Sequence, residues 1–63
     1  MIDIGDKIKR TRLKLGLTQE ELAARTELSK GFISQLERNL TSPSIATLID
    51  ILEALGTDIA DFF

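Results

Sequence analysis

Stop and start signals recur along this chain at intervals too short for any long helix. Gly16 closes one apolar helical pattern and Gly56 another, while Thr18, Ser29, Ser44 and Asp58 stand at four starts. A glycine just past the last periodic residue accepts the left-handed turn that ends a helix. A Ser, Thr or Asp at a start accepts hydrogen bonds from N–H groups that have no partner in the first turn. Thr18-Gln19-Glu20-Glu21 has the form of a capping box, in which Thr18 accepts from the backbone of Glu21 and Glu21 reaches back to Thr18. These signals predict five helical segments, roughly residues 4–15, 18–26, 29–38, 44–55 and 58–63.

The apolar positions support that division. Ile4, Ile8 and Leu15 fall near one face of the first segment, Leu22 and Ala23 point inward from the second, and Ile33 and Leu36 from the third with Glu37 beside them. The fourth carries Ile45, Leu48, Ile49, Ile51, Leu52 and Leu55, apolar around most of its girth, and is expected to be the central buried helix. Ile59, Phe62 and Phe63 complete the set. Leu and Ile dominate, and no alternating β-branched pattern occurs, so the expected fold class is all-α, a compact five-helix domain. With 63 residues the chain holds one domain at most. The chain stops while still apolar, at Phe62-Phe63, as expected where a longer protein continues into a further domain.

Chemistry is limited by what is missing. Without Cys or His there is no disulfide and no Cys/His metal site. No glycine-rich phosphate loop or cofactor motif occurs, and the acids sit mostly at helix starts or on exposed faces, so neither an enzyme nor a cofactor or metal site is expected. No apolar run approaches the roughly 20 residues of a membrane span, and the reading is a cytoplasmic protein. The net charge of −2 taken alone speaks against nucleic acid. Its distribution reverses that: all eight Lys and Arg lie in residues 1–40 with six acids, whereas residues 41–63 hold four acids and no base. Asymmetry of this kind can mark a nucleic-acid face. On charge alone a solvated helical surface is the favoured reading, and it suits Lys7, Lys9, Arg10 and Lys14 on the first segment.

Residues 19–38 are the informative unit, two short helices joined by about three residues. A helix-turn-helix needs a small residue where its helices cross, supplied by Ala23, and apolar residues to lock them, supplied by Leu22, Leu28, Ile33 and Leu36. Its second helix needs an exposed polar strip. Lys30, Gly31, Ser34, Gln35 and Arg38 form one at spacings of three and four. Gln35 can pair with adenine N6 and N7, and Lys30 can donate to guanine O6 and N7. Gly31 leaves room for close approach. Phe32 fits a thymine methyl or a sugar as well as it fits a core. The turn position held by Glu27 departs from the usual helix-turn-helix pattern, which commonly has glycine there because the backbone tends to need φ > 0; a glutamate adopts that geometry at a cost of about 1 kcal/mol.

Three stretches, Arg12–Ala24, Leu28–Asn39 and Ser42–Leu48, resemble the five-helix helix-turn-helix domain of the phage 434 and lambda repressors and of Xre-like bacterial regulators. The wording is most similar to SinR-type and cupin-linked regulators, and the resemblance spans residues 4–63. It implies base reading by Lys30, Gly31, Ser34 and Gln35. It implies backbone contacts from Gln19 and from Arg38, Asn39, Thr41 and Ser42, to which the helix starts at Thr18 and Ser29 and the ring of Phe32 are added on chemical grounds. Arg12 and Glu37 match an interhelical salt bridge that orients the reading helix. The expected function is a transcriptional repressor acting as a homodimer on a pseudo-palindromic operator in double-stranded DNA. A small-molecule effector would enter through a missing C-terminal domain. The other reading is a protein-interaction or antitoxin-like module on the same fold.

Overall fold

The computed structural model describes residues 3–63. Five helices follow one another: α1 (Ile4–Lys14), α2 (Gln19–Thr26), α3 (Lys30–Glu37), α4 (Ile45–Ala54) and α5 (Ile59–Phe62). Each predicted segment is present, shorter only by its capping residues. The caps act as their chemistry requires. Thr18 Oγ1 accepts from the Glu21 N–H at 3.0 Å, and Glu21 Oε1 accepts from the Thr18 N–H at 2.9 Å, which completes the capping box. Ser29, Ser44 and Asp58 accept from Phe32, Thr47 and Asp61 at 3.0, 3.1 and 2.9 Å.

One device ends α1 to α4. A residue of positive φ follows the last turn in each case: Gly16 at 71°, Glu27 at 58°, Asn39 at 59° and Gly56 at 74°. The next N–H then bonds back into the helix, Leu17 to the Arg12 carbonyl, Leu28 to Ala23, Leu40 to Gln35 and Thr57 to Leu52. This satisfies carbonyls that the helix itself leaves unpaired.

The helices close on one core within an envelope of 25 × 23 × 21 Å. α3 packs on both α1 and α2, α2 also on α4, and α4 on α5. Ile8, Leu22, Ile33, Leu36, Ile51 and Leu52 are fully buried, so α1 to α4 each contribute to the centre. Truncating one such side chain to alanine costs about 2–5 kcal/mol. A domain of this size has in total roughly 3–9 kcal/mol.

Two sequence expectations are corrected here. α4 is not enclosed: Leu48, Ile51, Leu52 and Leu55 are buried, but Ile45 and Ile49 are 66% and 40% exposed. Among the described residues its main packing partners are α2 and α5, which leave one side of it open. Leu15 is likewise exposed, because it is the residue at which α1 ends. The buried face of α1 is Gly5, Ile8 and Arg12 instead. Gly5 is there for space. A Cβ on it would strike the Leu36 carbonyl oxygen and come within 2.7 Å of Asn39 Oδ1. Among the described residues no helix is long and apolar enough to cross a membrane.

Candidate nucleic-acid interface

α2, the turn Glu27-Leu28-Ser29 and α3 form the helix-turn-helix. Leu22, Ala23, Ile33 and Leu36 are buried between its helices and the rest of the core, and Leu28 packs against their edge. Burial of these residues fixes the rotation of α3 and leaves the opposite side open. Lys30, Gly31, Gln35 and Arg38 are exposed, and Ser34 is half-buried beside them. Sequence spacing had placed these five on one strip, and the packing keeps that strip uncovered. Phe32 is half-buried, packed against the core and partly open to solvent.

Gly31 contrasts with Gly5. A Cβ at Gly31 would meet only the Ser29 hydroxyl, at 4.0 Å. Nothing in the fold requires glycine there, although glycine in a helix costs roughly 0.5–1 kcal/mol relative to alanine. The start of α3 thus presents bare backbone that no contact within the domain calls for.

Behind the strip lies a buried polar cluster. Arg12 Nε donates to Glu37 Oε2 at 2.7 Å and Arg12 Nη2 to Glu37 Oε1 at 2.9 Å, a bidentate pair between α1 and α3. Arg12 Nη1 donates to the Leu17 carbonyl at 2.8 Å. Gln19 Nε2 donates to Glu37 Oε1 at 3.0 Å. The side chains of Arg12 and Glu37 are 8% and 1% exposed. Such a pair brings orientation more surely than net stability, because desolvation offsets most of its attraction. Every buried side-chain nitrogen and oxygen among the described residues has a hydrogen-bond partner.

The remaining expected contacts divide into those that are open and those already engaged. Thr18, Ser29 and Ser42 are exposed and Thr41 is half-buried. Asn39 is engaged inside the domain: its Oδ1 accepts from the Gly5 N–H at 3.2 Å, and its Nδ2 donates to Asp3 Oδ1 at 2.6 Å. The amide at the end of α3 thus helps cap the start of α1. Asp3 Oδ1 also accepts from the Asp6 N–H at 2.8 Å, and this bond, followed by that from Asn39, holds the Asp3 carboxyl below its ordinary pKa. Glu21 is held low in the same way, first by the Thr18 N–H. Lys7, expected on a solvated face, instead donates to the Phe62 carbonyl at 3.0 Å and lies 5.6 Å from the Phe62 ring centroid, closing α1 onto α5. Arg10 pairs with Asp6 at 2.9 Å within α1.

Sequence reasoning missed three of these residues. Asp3 had the signal of a helix N-cap, Gly5 had that of a glycine inside a helical pattern, and Glu20, whose carboxylate lies 3.6 Å from Lys30 Nζ, had none.

A bipartite packing of two short helices that leaves a polar strip on the second defines a helix-turn-helix, and the family model described as Helix-turn-helix matches residues 8–62. The chain belongs to this family of DNA-binding transcriptional regulators, with the lambda-repressor-like fold. It is 42% identical over 53 residues to the uncharacterized HTH-type transcriptional regulator y4dJ of Sinorhizobium fredii, covering 84% of this chain and 69% of that protein. It is 35% identical over 57 residues to the immunity repressor protein of Bacillus phage phi105, where it covers 90% of this chain but spans only 40% of the relative. Among solved structures it is similar to the wild-type restriction-modification controller protein C.Esp1396I, with a TM-score of 0.89, 36% identity, and coverage of 97% of this chain and 78% of that one. That protein is also known as a tetramer in complex with its natural 35 base-pair operator.

Proposed function

We propose that this chain is the sequence-reading part of a cytoplasmic repressor that lays α3 in the major groove as a homodimer on a pseudo-palindromic operator. The observation that carries the reading is the open strip at the start of α3, with a glycine at Gly31 that no packing contact requires. Lys30, Gly31, Ser34 and Gln35 read base edges. Thr18, Gln19, Ser29, Arg38, Thr41 and Ser42 meet the sugar-phosphate chain, with the edge of Phe32 beside them. Arg12 and Glu37 hold α3 at its angle. Asn39, exposed at the end of α3, also meets the DNA backbone while its amide caps α1. One module covers a half-site of a few base pairs, so a second copy about one helical turn away is needed for useful affinity. The phage repressor and the operator-bound controller protein support a repressor acting as an oligomer. A C-terminal domain that takes a small-molecule effector would complete such a regulator.

Selection from random duplex DNA, followed by titration at two salt concentrations, tests the reading. The expected result is an enriched, roughly palindromic site. Lys30 and Arg38 are the only bases on the strip. Of these only Arg38 meets phosphate, so the slope of log K against log salt is shallow, about −1 per module at roughly −0.9 per phosphate neutralised. Gln35→Ala is expected to relax one base pair at a cost of about 1–3 kcal/mol. A folded sample that enriches no sequence would move the strip to the protein-interaction reading.

A further inference from the structure

Glu37 ends α3, and its carboxylate is the point at which three helices meet. Oε2 accepts from Arg12 of α1, while Oε1 accepts both from Arg12 Nη2 at 2.9 Å and from Gln19 Nε2 at 3.0 Å. Gln19 is the first residue of α2, and it lines an open groove with Thr18, Glu20 and Lys30. A glutamine amide nitrogen carries two hydrogens. One is given to Glu37, which fixes the plane of the amide. The second hydrogen and the carbonyl oxygen are left for the groove. A free glutamine would have to be ordered on binding, whereas one already held by a buried carboxylate does not.

We propose that Gln19 is a positioning residue: held by Glu37, it ties the end of α2 that meets the DNA chain to the helix that reads the bases. The proposal rests on the DNA-reading function above. Its consequence is that backbone docking and base discrimination are set together. Arg12 fixes Glu37 at the end of α3, Glu37 fixes the Gln19 amide, and a phosphate bound by that amide at the start of α2 is placed relative to α3. Side-chain chemistry explains why position 19 suits glutamine. A glutamate there would set two carboxylates about 3 Å apart, and a serine would not span the distance.

Two measurements test this. In the first, Gln19→Met, which keeps the length and removes the donors, is titrated against the selected site and against a random duplex. A residue that only touched phosphate would lose affinity for both by one factor. The expected result is a fall of about tenfold in the ratio of selected to random affinity. Equal losses, or no loss, would overturn the proposal. The second needs neither DNA nor that variant. In the free protein, the Gln19 side-chain amide protons are followed by nuclear magnetic resonance. They are expected to exchange with water more slowly than those of the exposed Gln35, and to lose that protection in Arg12→Met with Glu37→Leu, which removes the acceptor without stranding a buried charge. Exchange as fast as that of Gln35 would sink the idea. If selection yields no site, the DNA reading fails while this second measurement still decides whether Glu37 holds Gln19.

Discussion

Arg12→Ala is the most informative single change, because its cost follows from one buried charge. Arg12 supplies two of the three hydrogen bonds to Glu37, whose side chain is 1% exposed. Without Arg12 the carboxylate keeps only the Gln19 amide. Removing one partner of a buried ion pair costs about 3–5 kcal/mol. The Leu17 carbonyl loses its donor as well. Against a total of roughly 3–9 kcal/mol, the variant should be partly unfolded at room temperature, or melt lower by about 12 °C or more. Removing both charges together costs less. In Arg12→Met with Glu37→Leu no charge is stranded, and the pair's desolvation cost disappears with its attraction. The residual loss is the Leu17 carbonyl and the Gln19 amide, about 1–3 kcal/mol for a buried polar group left unpaired. The double variant should therefore be more stable than Arg12→Ala. Urea titrations followed by circular dichroism at 222 nm give both values. An Arg12→Ala protein within about 1 kcal/mol of the parent, or a double variant less stable than the single, would refute the reasoning.

Three further outcomes are expected. Gly5→Ala drives a Cβ into the Leu36 carbonyl and the Asn39 amide, so it should cost about 1–3 kcal/mol as overpacking does; an unchanged melting temperature would remove the close crossing of α1 and α3. Glu27→Gly relieves a side chain at φ 58° and should raise stability by up to about 1 kcal/mol, the relief less the extra freedom of glycine when unfolded; a lower urea midpoint would assign the Glu27 side chain a stabilising contact. Asp3 and Glu21 are held below their ordinary values of 3.8 and 4.5, so their contribution is complete above those values and is lost as pH falls through the lower folded pKa. Urea midpoints measured down the acid range should drop there, and should drop less in Asp3→Asn with Glu21→Gln, whose side chains do not titrate.

How much of the site was legible depended on distance along the chain. Lys30, Gly31, Ser34, Gln35 and Arg38 could be placed on one strip from spacing alone, because a helix brings residues three and four apart together. Gln19 was visible as the first residue of a capped helix, but its tie to Glu37 was not, since 18 residues separate them. Asn39 was read as a loop residue for the DNA chain, and only folding reveals that its amide reaches Gly5, 34 residues away.

By itself, then, the sequence determined the five helices, their ends and the polar strip, because caps, left-handed stops and helical periodicity act within a few residues and carry their own energies. Tertiary structure decided which apolar side chains are covered. Ile49 and Leu52 belong to the same helix and the same residue class, yet one is 40% exposed and the other fully buried. Periodicity states that a face is apolar, but the number and placement of neighbouring helices decide whether it is buried. Tertiary structure alone also made room for α1 over α3 at Gly5, closed α1 onto α5 through Lys7, and gathered Arg12, Gln19 and Glu37. These contacts join groups from different helices, and their energy exists only after the chain has paid the entropy of bringing those helices together.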